Sequence, residues 1–90
     1  MSQTSGGMQN TQQVACMCWF PVGQKPYPYL LKVKDHEGDI HTIRDIDILD
    51  TREVFQGLEV ICEAAIMDRK QRFSLMYFKD DHRWLMTLRG

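Results

Sequence analysis

Over residues 57–90 apolar side chains recur at every second position, in three runs separated by two clusters of polar and charged residues. This alternation limits what the chain can fold into. A repeat of two places successive side chains on opposite faces of an extended strand, whereas an amphipathic helix repeats every three to four residues. The first run is Leu58-Glu59-Val60-Ile61-Cys62-Glu63-Ala64-Ala65-Ile66-Met67, closed by Asp68-Arg69-Lys70-Gln71. The second, Arg72-Phe73-Ser74-Leu75-Met76-Tyr77-Phe78, is followed by Lys79-Asp80-Asp81-His82-Arg83, and the third is Trp84-Leu85-Met86-Thr87-Leu88. Together they predict a half-buried antiparallel meander.

The rest of the chain continues in the same style. Residues 14–20 are apolar on both phases, with Val14, Cys16, Cys18 and Phe20 on one face and Ala15, Met17 and Trp19 on the other. This is the pattern of a central strand or of an edge that meets a partner. Prolines 21, 26 and 28 mark residues 21–28 as a loop, since proline lacks an amide donor and biases its predecessor to extended geometry. Residues 29–34 alternate, placing Tyr29, Leu31 and Val33 opposite Lys32 and Lys34, and Gly38 marks a turn. Residues 40–49 read as one strand whose phase slips between Ile43 and Ile46, which predicts a bulge near Arg44. Asp50 and Glu53 have capping-box spacing and Gly57 suits a C-terminal cap, so residues 50–57 are expected to form a short helical turn. Residues 1–13 carry no charged side chain and are rich in Ser, Gly, Gln, Thr and Asn. They are expected to be a disordered tail ahead of one domain spanning 14–90.

These elements sum to an all-β fold of about six short antiparallel strands with one helical turn, most simply an SH3-like or OB-like partly open barrel. On the segments His41-Thr42-Ile43-Arg44-Asp45-Ile46, Leu58 through Met67, and Phe73-Ser74-Leu75-Met76-Tyr77-Phe78 with Trp84-Leu85-Met86, the chain resembles small uncharacterised all-β proteins of Gram-positive anaerobic bacteria. The resemblance covers about two thirds of the chain, from Leu30 onward. It implies a compact β-domain and brings no catalytic residues with it.

Composition narrows the function classes. A chain of 90 residues with net charge −1 has no global attraction to nucleic acid or to an anionic membrane. No apolar run approaches the roughly 20 residues that span a bilayer, and no signal-peptide pattern opens the chain, so a cytoplasmic location is expected. Three cysteines, Cys16, Cys18 and Cys62, do not make a disulfide framework. Cys16 and Cys18 stand along a strand rather than in a knuckle, so core packing is favoured over zinc, and no cofactor or metal is expected. Cys62 or Ser74 with His41 and Asp45 or Asp47 supplies the ingredients of nucleophilic catalysis, but no glycine-rich elbow or loop assembles them. The chain is therefore read as no enzyme. The acidic run Asp45, Asp47, Asp50 and Glu53 lacks the turn glycine of a calcium loop.

What remains is surface chemistry. Tyr27 and Tyr29 in a proline-flanked segment are typical of recognition surfaces. Arg69, Lys70 and Arg72 at an expected hairpin tip, with the aromatic residues Phe78 and Trp84, are candidate contacts for single-stranded nucleic acid. The apolar residues Met17, Trp19, Ile61, Ala65, Met67, Met76 and Phe78 fall on the phase opposite the core. A thin sheet buries one face, so this surplus predicts a homodimer. The leading expectation is a non-enzymatic, self-associating interaction module, and the alternative is a single-stranded nucleic-acid binder.

Overall fold

The computed structural model describes residues 10–89. It is all β: β1 (Thr11–Trp19), β2 (Tyr27–Lys34), β3 (Ile40–Ile43), β4 (Asp47–Val54), β5 (Gly57–Ile66), β6 (Arg69–Phe78) and β7 (Arg83–Leu88). The seven strands form one antiparallel sheet in the order β3-β2-β1-β7-β6-β5-β4, rolled into an open half-barrel. The order is sequential around a ring, with β1 joined to β7. The ring's break therefore falls between β3 and β4, which are consecutive in the chain yet occupy the two edges of the sheet.

That arrangement explains the phase slip. The expected bulge is a break into two strands, connected by Arg44, Asp45 and Ile46. Ile43 and Ile46 are both buried, so the three-residue step returns the chain to the core while Arg44 and Asp45 swing into solvent. Asp45 adopts φ 52°, a left-handed conformation that Asp tolerates better than bulkier residues. Three residues cannot bridge the width of a flat seven-stranded sheet at about 4.8 Å per strand, so this short link requires the sheet to roll.

Residues 50–57 are not a helical turn. Asp50 through Val54 continue β4, paired with β5 from Asp50↔Ile61 to Val54↔Gly57. One or two isolated turns gain little from helix hydrogen bonds, whereas pairing along β5 satisfies the same backbone groups and places Ile48 against the core. Gly57 is required for a different reason than capping: its φ of 156° and the Tyr77 carbonyl beside it leave no room for a Cβ.

The first strand starts at Thr11, three residues earlier than expected, with Thr11, Gln12 and Gln13 paired to Thr87, Met86 and Leu85. Residues 1–9 of the expected tail lie outside the described residues. β1 serves two neighbours, β7 through its first half and β2 through its second. Where β1 turns away from β2, the Gln12 carboxamide substitutes for backbone, donating to the Lys34 carbonyl at 2.9 Å and accepting from the Lys34 N–H at 3.0 Å.

The meander matches its pattern closely. Val60, Cys62, Ala64 and Ile66 of β5, Phe73 and Leu75 of β6, and Trp84 and Met86 of β7 point into the core, joined by Leu31, Val33, Ile43 and Ile46. The β5–β6 turn is tighter than expected: Met67 and Asp68 alone form it, both at positive φ, the twist that suits a two-residue hairpin. Arg69, Lys70 and Gln71 consequently belong to strand β6 rather than to a loop.

Candidate functional site

The start of β2 is where the structure departs most from simple alternation. Tyr29 was expected to share a face with Leu31 and Val33. Instead β1 pairs Met17 with Leu30 and Cys18 with Pro28, so Tyr29 is an extra residue in a bulge. Before the bulge Pro28 faces the core; after it Leu31 and Val33 do, and Tyr29 is turned outward. β3 pairs only with residues 31–34 of β2, which leaves Pro28 on an unpaired stretch of edge where its missing donor costs nothing.

The bulge assembles an aromatic surface. Trp19 is 62% exposed, Tyr27 45% and Tyr29 44%. Trp19 and Tyr27 are direct cross-strand partners, and Met17 and Leu30 form the next outward pair. The three rings line a cleft of about 530 Å³. Tyr27 and Tyr29 also wall a second cleft of about 330 Å³ with Leu30, Arg44, Asp45 and Ile46, at the break between the two sheet edges. Across that break the Lys25 ammonium donates to the Thr51 carbonyl of β4 at 3.1 Å.

The other expected contact residues are arranged differently. Trp84 is 7% exposed, with its ring 4.9 Å from that of Tyr77, so it is a core residue and offers no face to a ligand. Phe78 is half-buried beneath the Arg83 guanidinium, whose carbon sits 4.5 Å from the ring centre. Lys70 lies 4.0 Å from Asp47 and Arg72 3.8 Å from Glu63, so acidic neighbours offset much of the basic cluster, while Arg69 is exposed at the hairpin end. The structure thus groups Tyr27 and Tyr29, adds Trp19, Arg44 and Asp45, and draws neither Phe78 nor Trp84 into the cleft lining. Trp19 was legible as an outward residue of its strand, but only the bulge reveals that it shares a surface with both tyrosines.

The three cysteines face inward. Burial pushes the Cys62 thiol up to about 12, and burial together with its neighbours Cys18 and Cys62 does the same to Cys16. Cys18 is raised by burial as well. A cysteine nucleophile acts as the thiolate, the form that this burial disfavours. Among the described residues the Cys, His, Asp and Glu donor atoms that gather within 4.8 Å in threes belong to Asp35, Glu37 and Asp39. Asp35 organises the β2–β3 turn. Its Oδ1 accepts from the Glu37 and Asp39 amides at 2.8 and 3.0 Å, and its Oδ2 meets His41 Nε2 at 2.8 Å. The His41 hydrogen bond, then the backbone amides, hold the Asp35 carboxyl below its ordinary value. His41 is half-buried in this contact, whereas His36 is exposed and His82, also exposed, meets the Tyr77 hydroxyl at 3.0 Å.

Compared with known proteins, the chain matches no protein-family model, no curated protein and no solved structure.

Proposed function

We propose that this protein is a non-enzymatic interaction module that acts in the cytoplasm and binds partners through the aromatic end of the β1–β2 hairpin. The single observation supporting this reading is that Trp19, Tyr27 and Tyr29 are all largely exposed and line one cleft. Large rigid rings in contact with water give binding area at low entropic cost, and aromatic residues dominate interface energetics. In this reading the half-barrel works as SH3-like and OB-like barrels do, with a curled sheet carrying an aromatic recognition face.

The module also self-associates, through the outer face of the meander. Met76 and Leu85 are cross-strand partners there, flanked by Ile61 and Phe78, and all four remain half-buried with no covering segment among the described residues. Light scattering after size exclusion is expected to give a dimer at micromolar concentration, shifted toward monomer by Met76→Glu and Phe78→Glu. A strict monomer would refute self-association. Partner binding is tested separately by quantitative mass spectrometry of cross-linked complexes. Trp19→Glu with Tyr27→Glu should lose a specific set of proteins that Met76→Glu retains. Complexes unchanged by the aromatic substitutions would refute the module reading, as would single-stranded oligonucleotides that bind with steep salt dependence and are lost in Arg69→Glu.

A further inference from the structure

We propose that Trp19, Tyr27 and Tyr29, with Asp45 in the cleft that shares both tyrosines, form a cation site that takes an arginine side chain of the partner protein. The inference rests on the interaction-module reading and specifies the chemistry of the contact. Three observations lead to it.

The first is the availability of ring faces. Aromatic stacking among the described residues involves Phe20, Tyr77, His82 and Trp84; the rings of Trp19, Tyr27 and Tyr29 stack on none of them and line an open cleft. A ring face carries negative quadrupole density and attracts a cation placed over it, Trp most strongly. The second is the position of an acid. Asp45 lines the adjoining cleft with Tyr27 and Tyr29. Of the neighbouring acids, Asp47 and Asp50 meet Lys70 and Arg52, while Asp45 takes part in no ion pair among the described residues. Its left-handed backbone sits at the apex of the link between the two sheet edges, outside the core. The third is charge complementarity between this pair of features and one ligand type. A planar guanidinium stacks on an aromatic face while its N–H fork addresses a carboxylate, and it sheds water more readily than an ammonium. A neutral ligand would cover Asp45 without offering it a charged partner. The molecule already uses the same contact internally, with Arg83 over Phe78.

Arg44 lines the second cleft as well. It competes with an incoming cation, and this fixes the sign of one test. Isotope-labelled full-length protein is titrated with an acetylated Gly-Arg-Gly amide and with the same peptide carrying citrulline, the neutral isostere of arginine. The arginine peptide is expected to shift the Trp19 indole and the Tyr27 and Tyr29 ring signals, and the citrulline peptide to bind several-fold more weakly. Trp19→Ala should weaken binding about two- to fivefold, the value of one exposed cation–π contact. Asp45→Asn, which tolerates the same backbone conformation, should weaken it about 1.5- to fivefold. Arg44→Gln should strengthen it.

Equal binding of the two peptides, an unaltered affinity in Asp45→Asn, or shifts confined to other surfaces would overturn the proposal. The two failures are distinguishable. If neither peptide binds while Trp19→Glu with Tyr27→Glu still removes cross-linked partners, the cation site falls and the module reading stands. If those partners persist in the aromatic variant, the reading itself falls.

Discussion

The β5–β6–β7 meander and the β1–β2 hairpin are built from the same alternating vocabulary and end up in different roles. In the meander, ten consecutive residue pairs join β5 to β6 without a register shift, and six join β6 to β7. Every inward position of its middle rows is filled and buried, and the outward charges Glu63 and Arg72 pair across strands. In the hairpin the register shifts once, between Met17 and Cys18, and that shift turns Tyr29 out of the core and into the same surface as Trp19 and Tyr27. Regular pairing produces a filled core on one face and leaves Ile61, Met76, Phe78 and Leu85 half-buried on the other. One extra residue produces a surface with three exposed rings, and the difference separates a closed core from an open aromatic cleft.

The division can be broken by stability measurements. Phe73→Ala in the meander should cost about 3–5 kcal/mol, a large share of what a domain this small possesses, and Trp19→Ala should stay within about 0.5 kcal/mol. Urea midpoints that moved equally would erase the distinction. The cysteines extend the test to pH. The folded-state Cys62 thiol is held near 12 against an ordinary 9.0, so the folded protein retains a proton that the unfolded chain releases. Stability from this group is complete below pH 9 and falls as pH rises from 9 toward 12, by up to about 1.4 kcal/mol per pH unit. Thermal melts from pH 7 to 10.5 should show this alkaline decline, and Cys62→Val should flatten part of it. In native protein treated with iodoacetamide, Cys18 of the hairpin should react before Cys62, and the reverse order read by mass spectrometry would contradict the burial described.

Gly57→Ala forces a side chain toward the Tyr77 carbonyl at a backbone angle that L-residues avoid, and should cost about 1–3 kcal/mol in the same melts. A loss below 0.5 kcal/mol would mean that the β4–β5 turn readily shifts. The smallest effect belongs to the β2–β3 turn. The Asp35 carboxyl titrates below its ordinary value, so its contribution is present above the ordinary carboxylate range and is lost as pH falls through the lowered folded value. Asp35→Asn should therefore reduce stability slightly at neutral pH and soften the acid limb of the curve.

Much of the meander was legible because its information is local. Val60, Cys62, Phe73, Leu75, Trp84 and Met86 announce their face by parity alone, since a one-residue slip would expose them all. Parity misleads when its origin moves. Tyr29 counted correctly from Leu31 and still landed on the wrong side, because the bulge is fixed by pairing with β1, a strand ten residues away. The helical turn expected at residues 50–57 failed for a related reason: capping spacing is a local signal, and the ladder offered by β5 outweighed it. Trp84 shares its parity with the buried Met86, and that parity turns the ring into the core and away from the ligand contact expected of it.

The amino-acid order alone thus determined that the chain is antiparallel β, where most strands run, and which side chains of the meander form its centre, because side-chain alternation is a property of each strand by itself. Only the tertiary structure decided that β3 and β4 become opposite edges, that the sheet rolls to let three residues join them, and that Tyr27 and Tyr29 share one cleft with Trp19 and a second, at the break, with Asp45. Those outcomes depend on which strands pair and in what register, and pairing across the chain is set by the burial of the whole core rather than by any one segment.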